Sequence, residues 1–149
     1  MEIFEILDNK KKYLDLLLEA DEEESMIDKY IERGRVFVLC DKEIIGQAVV
    51  TKESPDIYEI KNIAVYEKFR KKGYGKLIIN YIENLFDDCK TLYVGTGDSP
   101  ATINFYEKCG FEKSHVIKNF FTDNYSKPII ENGKVLKDMI YLKKEIKRP

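Results

Sequence analysis

Apolar residues recur along the chain with two different spacings, which predict strands and helices in turn. Polar and apolar residues alternate from Glu2 to Leu7, as they do in a half-buried strand. From Lys10 to Arg33 apolar residues recur at helical spacing, and a polar, acidic stretch at 20–25 interrupts them. The pattern therefore predicts two short helices, or one that bends, after the first strand.

The same two spacings define the elements that follow. Residues 35–40 and 43–52 predict a hairpin after Gly34, and Ile57–Val65 predicts a strand whose end is buried on both faces. The later elements are a helix over Tyr74–Phe86, a strand over Thr91–Val94, a helix over Pro100–Cys109, a strand over Phe111–Lys118, a loop over Phe121–Gly133 and a strand over Leu136–Ile146. This order, β-αα-β-β-β-α-β-α-β-β, is typical of a mixed α/β domain.

Length and composition indicate one globular domain. The chain has 149 residues, of which 44% are hydrophobic, and we expect residues 1–149 to form a single domain. The formal net charge is −2, so nothing global favours nucleic acid or an anionic membrane as a partner. The apolar runs are too short to span a bilayer, and the start of the chain does not resemble a signal peptide. We therefore expect a soluble, cytoplasmic protein.

The residues that form disulfides and metal sites are few. Cys40, Cys89 and Cys109 are odd in number and widely spaced, and His115 is the only histidine. Neither a disulfide framework nor a zinc site fits this pattern. We expect reduced and mostly buried cysteines, no metal, and a His115 that lies on a strand without a catalytic role.

A basic turn that contains two glycines joins the strand at 57–65 to the helix at 74–86. Gly73 and Gly75 let the backbone bend and approach a ligand, and the first amides of a helix favour anions. Five cationic side chains surround the turn: Lys68, Arg70, Lys71, Lys72 and Lys76. The turn lacks the Walker and dinucleotide-binding patterns. It predicts a phosphate site, with a solvated basic loop as the alternative.

Two motifs resemble those of the Gcn5-related N-acetyltransferase (GNAT) family. Arg70-Lys71-Lys72-Gly73-Tyr74-Gly75 resembles the family's Gln/Arg-x-x-Gly-x-Gly/Ala acetyl-CoA signature, after an Ile-Ala-Val strand ending. Asn104 to Phe111 is similar to its Tyr-x-Lys-x-Gly-Phe block. The order of elements is also that of the family, so the resemblance spans residues 2–146.

The resemblance implies a fold and a co-substrate. The fold is α/β (α+β mixed), a GNAT-like acyl-CoA N-acyltransferase fold with a central, mixed, mostly antiparallel sheet that splays between its fourth and fifth strands and is flanked by helices. The co-substrate is acetyl-CoA, with its pantetheine arm along the strand end and its pyrophosphate on the amides of the basic turn. The implied binding residues are Ile63, Ala64, Val65, Arg70, Lys71, Lys72, Gly73, Tyr74, Gly75, Lys76, Ser99 and Asn104.

Acetyl transfer needs a neutral amine, a polarised thioester carbonyl and a proton for the departing thiolate. By the same resemblance, the Val65 N–H polarises the carbonyl and Tyr106 is the general acid. Glu59 is implied to take the proton of the amine, directly or through water. The alternatives are a core aromatic role for Tyr106 and a structural or solvated role for Glu59.

Two positions depart from the family's pattern. Seven residues before Tyr106, where the family often has an asparagine that holds the cofactor, this chain has Ser99, whose hydroxyl substitutes only partly. Twelve residues before Tyr106, the branch that acetylates ribosomal-protein N-termini carries a glutamate, and this chain has Val94. That difference counts against the branch, although Asn119-Phe120-Phe121 is similar to its Asn-Tyr-Tyr segment.

The acceptor is the least determined part of the reaction. Acidic residues between 19 and 28 could attract a cationic amine, or they could serve the helices, with Asp21 as a cap. Phe121, Asp123 and Tyr125 could cover a small acceptor. We expect an N-acetyltransferase that acts on a primary amine of a small molecule by direct attack. A protein or peptide α-amine acetyltransferase and a non-catalytic acyl-CoA-binding module are the alternatives, and a homodimer is compatible with each.

Overall fold

The computed structural model describes residues 1–148, which form two compact units that divide after Cys89. The elements of the first unit are β1 (Glu2–Ile6), α1 (Leu14–Ala20), α2 (Glu24–Ile27), β2 (Arg35–Asp41), β3 (Glu43–Ser54), β4 (Ile57–Val65), a 3₁₀ turn (Glu67–Phe69) and α3 (Tyr74–Leu85). Those of the second unit are β5 (Thr91–Gly97), α4 (Pro100–Lys108), β6 (Glu112–Ile117), α5 (Phe120–Asn124), β7 (Ile130–Glu131), β8 (Lys134–Val135) and β9 (Met139–Glu145).

The first unit contains an antiparallel sheet in the order β1-β2-β3-β4. A β-bulge interrupts the last pair, because Val49 lies opposite Asn62 while Val50 lies opposite Ile60. Lys61 is therefore the extra residue of β4. A bulge bends its strand and increases the local twist, so β4 changes direction shortly before it ends at Val65.

Helices cover both faces of this sheet. On one face, α1 and α2 pack on the strands through a cluster that includes Leu17, Ile27 and Val38. On the other face, Phe37 makes edge-to-face contacts with Tyr81 and Phe86 at the C-terminal part of α3. Alternate residues of β2 thus point into two different cores, which is why the strand is an almost continuous apolar run.

The second unit is built on an antiparallel sheet in the order β5-β9-β6, with α4 between β5 and β6 in sequence. Gly110 ends α4 with φ +98°, and the Phe111 amide donates to the carbonyl of Tyr106 at 3.0 Å. This left-handed glycine closes the helix at its C-terminal end. Asn132 and Gly133, both at positive φ, form the turn of the β7–β8 hairpin.

The structure confirms the α/β class and the order of the main elements, and β4 has its predicted bounds. The prediction of a loop over 121–133 is wrong in part, because this segment contains most of α5 and the whole of β7. The strand expected to end at Val94 continues to Gly97, since Gly95 and Gly97 pair with β9. Pairing with β9 therefore overrides the low strand propensity of glycine.

The predicted environment of the cysteines is largely confirmed. Cys89 and Cys109 are buried, Cys40 is partly buried, and all three are free thiols. His115 lies on β6 and stacks on Tyr141 with ring centroids 4.8 Å apart. Within residues 1–148, no helix has both the length and the apolar character to cross a bilayer.

Replacing Ile79 with alanine tests the packing of α3. Ile79 is fully buried in the middle of the helix, so Ile79→Ala should lower the free energy of unfolding by about 2–5 kcal/mol through lost burial and a residual cavity. Urea denaturation followed by circular dichroism measures this. Leu85→Ala is the matched control, since Leu85 lies on the same helix and is 38% exposed. Equal losses in the two variants would contradict this packing of α3.

Candidate functional site

The turn between β4 and α3 is open on its glycine side. Gly73 is the N-cap of α3 with φ +85°, and no atom lies within 4 Å of the position that a β-carbon would occupy there. Lys71 also has a positive φ, of 62°. The first helical hydrogen bond runs from the Leu77 amide to the Gly73 carbonyl, so the amides of residues 74–76 have no acceptor within the helix. These amides and the helix dipole favour an anion.

Three of the five predicted cations remain available around this turn. Lys71, Lys72 and Lys76 are exposed, and within the described part of the chain none lies within 4.0 Å of a carboxylate. Lys68 instead pairs with Glu43. Of the five predicted cations, Lys68 and Arg70 therefore have carboxylate partners within the protein.

Arg70 is held by groups on two other elements. One terminal nitrogen of its guanidinium donates to Glu19 Oε2 on α1 at 2.6 Å. Its Nε donates to the carbonyl of Val65, the last residue of β4, at 2.9 Å. The family resemblance placed Arg70 among the cofactor-binding residues, and in the structure its side chain lies between α1 and the strand end.

The end of β4 carries the three residues predicted to face the cofactor arm. Ala64 is buried, while Ile63 and Val65 are half-buried, and Val65 lies opposite Gly46 of β3. A β-carbon at Gly46 would lie 2.7 Å from the carbonyl oxygen of Ala64, so only glycine permits this close pairing.

Tyr66, which follows the strand, also contacts α1. Its amide donates to the Ile45 carbonyl at 2.9 Å, and its hydroxyl donates to the Asp15 carboxylate, with oxygens 2.9 and 3.1 Å away. Burial, with the Asp15 carboxylate adding to it, raises the pKa of Tyr66 to about 12. The hydroxyl therefore stays protonated at neutral pH and remains a donor.

Two buried amide side chains fasten α1 to the sheet, and the sequence analysis did not identify them. Gln47 Nε2 donates to the Tyr13 carbonyl at 2.9 Å, and Asn62 Nδ2 donates to the Leu17 carbonyl at 3.0 Å. Asn62 also donates to the Tyr30 hydroxyl at 3.1 Å. Polar residues inside otherwise apolar strand runs were the available signal, because a buried amide needs a partner.

Asp21 is not the N-cap of a helix, which corrects the expectation for this residue. It follows α1 at the C-terminal end, and the N-cap of α2 is Glu23. The Asp21 carboxylate accepts a hydrogen bond from Tyr30 at 3.0 Å. Burial, reinforced by the Asp21 charge, raises the pKa of Tyr30.

The other acidic side chains of this segment are largely paired. Lys11 contacts Glu24 at 2.6 Å and Asp28 at 2.7 Å, and Glu19 contacts Arg70. These partners reduce the negative field that the segment could offer to a cationic amine. A structural role for the acidic segment is therefore favoured over long-range steering.

Glu59 lies on β4 opposite Thr51 and is 8% exposed. Its carboxylate contacts Lys61 Nζ at 3.1 Å. Lys61 is the bulged residue of β4 and places a cation next to this carboxylate. A carboxylate group is chemically suited to accept a proton from an amine.

In the second unit, α4 carries the remaining predicted residues. Ser99 is the N-cap of α4 and is 3% exposed, and its Oγ has no hydrogen-bond partner among the described residues. Asn104 lies on the exposed side of the same helix. A buried hydroxyl without a partner at a helix N-terminus can bind a polar ligand atom, which fits the predicted role of Ser99.

Tyr106 lies on the buried side of α4. Its ring makes edge-to-face contacts with Phe105 and Phe111, at centroid distances of 5.1 and 5.7 Å. Burial raises the pKa of Tyr106, and the charges of Cys109 and Glu131 add to the effect. The phenol therefore stays protonated well above neutral pH and can act as a proton donor from an apolar surrounding.

Comparison with known proteins relates these features to one family. A family profile described as "Acetyltransferase (GNAT) domain" matches residues 32–113. The chain is 39% identical over 132 residues to the uncharacterized N-acetyltransferase YvbK of Bacillus subtilis strain 168, covering 86% of this chain and 85% of that protein.

Two proteins of solved structure have a similar fold over almost their whole length. A GNAT family acetyltransferase from Elizabethkingia anophelis, with acetyl-CoA bound, is 38% identical with a TM-score of 0.89, and 97% of each chain is covered. IAA acetyltransferase from Bacillus cereus is 34% identical with a TM-score of 0.87, covering 97% of this chain and 99% of that one.

The buried amide of Asn62 offers a test of how α1 is held. Asn62→Ala removes the hydrogen bonds to the Leu17 carbonyl and the Tyr30 hydroxyl, so we expect it to lower the free energy of unfolding by about 2 kcal/mol. Denaturant unfolding measures the loss. Asn80→Ala, on the exposed side of α3, is the control and should change stability by less than about 0.5 kcal/mol. A small effect at Asn62 would show that these bonds do not hold α1.

Proposed function

The chain belongs to the Gcn5-related N-acetyltransferase family, and we propose that it moves the acetyl group of acetyl-CoA to a primary amine of a small molecule by direct attack. The observation that carries the proposal is the open turn at Gly73, where unpaired helix amides and three unpaired lysines favour a polyanion. The relative that contains acetyl-CoA, similar over 97% of this chain, supports the identity of that polyanion.

Residues of the first unit have the proposed binding roles. The amides of 71–76 hold the pyrophosphate, with Gly73 giving close approach and the nearby lysines offsetting its charge. The backbone of Ile63, Ala64 and Val65 pairs with the pantetheine arm. In the second unit, Ser99 Oγ is a hydrogen-bonding group for the same ligand, because it is buried and lacks a protein partner.

When bound, acetyl-CoA supplies an activated acetyl group on sulfur. The attacking nitrogen forms a bond to the carbonyl carbon while the bond from that carbon to sulfur breaks. We propose that the Val65 N–H polarises the carbonyl oxygen and that Tyr106 gives its hydroxyl proton to the departing sulfur. Glu59 receives the proton that leaves the nitrogen, directly or through a water molecule.

The proposal of a small-molecule acceptor is based on one sequence difference from the branch that acetylates ribosomal-protein N-termini. Val94 occupies the position at which the branch that acetylates ribosomal-protein N-termini is expected to carry glutamate, and Val94 is 2% exposed on β5. A buried valine cannot exchange a proton with a peptide α-amine. Phe121, suggested as a cover for the acceptor, is itself buried, and Tyr125 contacts it at a centroid distance of 5.4 Å.

A panel of amines tests the proposal as a whole. The protein is incubated with acetyl-CoA and small amines, diamines or short peptides, and free thiol is measured together with the mass of the acetylated product. We expect equal amounts of thiol and acetylated small amine. Product from peptides alone would overturn the acceptor class. Binding of CoA without thiol release from any acceptor would instead support a binding module.

Gly73→Glu tests the phosphate turn. A side chain there would occupy the open space beside the free amides and add a negative charge, so we expect binding of CoA to be lost in isothermal titration calorimetry. Gly133→Glu is the matched control, because Gly133 also has a positive φ, of 77°, and open space around it. It should cost similar stability and leave CoA affinity unchanged. Retained binding in Gly73→Glu would contradict the assignment.

Tyr106→Phe tests the general acid. It removes the hydroxyl and keeps the ring that packs on Phe105 and Phe111, so kcat should fall about 10²-fold or more while the Kd for CoA stays within about twofold. Tyr81→Phe, on α3 of the first unit, is the control and should keep full turnover. Unchanged turnover in Tyr106→Phe would remove the acid role.

The raised pKa of Tyr106 also predicts a pH profile. The pKa of a tyrosine is ordinarily about 10. Burial moves the pKa of Tyr106 upward. The acid form therefore persists as pH rises, so kcat measured with a saturating amine should show no fall due to this group between about pH 8 and 10. A descending limb in that range that disappears in Tyr106→Phe would contradict the prediction.

A further inference from the structure

We propose that Arg70 is a positioning residue and not a phosphate ligand. Glu19 holds its guanidinium, and the guanidinium fixes the peptide at the end of β4. The inference rests on the proposed function of the adjoining turn. It concerns the residue that opens the cofactor signature, whose side chain contacts α1 and the strand end in this structure.

The peptide that joins Val65 to Tyr66 is held from both of its sides. Its N–H donates to the Ile45 carbonyl at 2.9 Å, and its carbonyl accepts from Arg70 Nε at 2.9 Å. This plane directly follows the peptide whose N–H, on Val65, is proposed to polarise the thioester. Fixing it limits the rotation about the Val65 Cα, so Arg70 helps to set the direction of the polarising N–H.

Helix α1 is the anchor for this arrangement. Asp15 and Glu19 lie four residues apart, on one face of the helix, and both bind the segment that follows β4. Asp15 accepts from the Tyr66 hydroxyl, and Glu19 accepts from Arg70 at 2.6 Å. The buried amides of Gln47 and Asn62 donate to the carbonyls of Tyr13 and Leu17, so the anchor is itself fixed to the sheet.

The geometry of arginine suits this role better than that of lysine. The Nε and terminal nitrogen of one planar guanidinium donate in two fixed directions, here to Val65 and to Glu19. A lysine ammonium is a single point at the end of a flexible chain. The carboxylate of Glu19, 2.6 Å from the guanidinium, also opposes the positive charge that Arg70 could offer to a phosphate.

The two possible roles of Arg70 predict opposite changes in CoA affinity when Glu19 is replaced with glutamine. If Arg70 were a phosphate ligand, Glu19→Gln would release its charge, remove a nearby carboxylate and tighten the binding of CoA. If Arg70 is a positioning residue, the same substitution loosens the strand end and weakens binding. The sign of the change therefore separates the roles.

The experiment measures CoA binding by calorimetry for Glu19→Gln, Arg70→Lys and the double variant. We expect Kd to rise about tenfold in each single variant, as for the loss of one charge-assisted hydrogen bond, and no further in the double variant. Glu22→Gln is the control, since it removes the same charge from an exposed residue three positions away. Tighter or unchanged binding in Glu19→Gln would overturn the proposal.

Infrared difference spectra measure the thioester carbonyl frequency of bound acetyl-CoA, which a general loss of protein stability does not change. The thioester carbonyl frequency should shift toward its value in water in Arg70→Lys and Glu19→Gln, because the Val65 N–H is less well aimed. Glu22→Gln should keep the wild-type frequency. Wild-type frequencies in both of the first two variants would contradict the role.

A measurement without cofactor keeps this inference distinct from the proposed function. In the free protein, Glu19→Gln and Arg70→Lys should speed hydrogen exchange of the Tyr66 amide, and Glu22→Gln should not. Failure of the wild-type protein to bind CoA would overturn the proposed function alone. Unchanged exchange of the Tyr66 amide in both variants would overturn the positioning role alone.

Discussion

The unpaired amides at the start of α3 are the constraint on which the candidate site depends. A helix cannot bond its own first amides, and here Gly73, in a left-handed conformation, leaves open space where a side chain would lie. Ile78, Ile79 and Ile82 bury the following turns of the helix in the core, so its N-terminus is held in place by packing. An anion-binding turn of this kind needs no dedicated acid, base or metal, because its donors are backbone groups.

The lysines on the helix side of the turn have no carboxylate partner among the described residues, whereas Lys68 and Arg70, nearer to the strand end, are paired with carboxylates. The chain has 25 basic and 27 acidic side chains, and the basic residues nearest to the strand end are paired with carboxylates. Those on the helix side, Lys71, Lys72 and Lys76, stay exposed. An almost neutral total therefore coexists with a local positive site. Helix α1 provides Glu19 for this pairing and is held to the sheet by two buried amides.

Burial in the second unit sets the chemical state of two polar groups on α4. The Tyr106 phenol lies between Phe105 and Phe111, which raises its pKa and keeps it a proton donor. Ser99 is buried at the start of the same helix with an oxygen that no described residue satisfies. Both groups sit on α4, which Gly110 ends in a left-handed turn, so a single short helix sets the spacing between them.

Local patterns in the sequence determined the elements and the turn. Helical periodicity located α3, the apolar run of 57–65 located β4, and Gly73 and Gly75 marked the turn between them, because these signals depend on neighbours in the chain. Tertiary structure decided what distant residues do. It extended β5 through its glycines, and it paired Arg70 with Glu19, which lies 51 positions earlier. It also gave the amides of Gln47 and Asn62 their partners on α1. No spacing rule encodes such contacts, since they arise only when separate elements pack together.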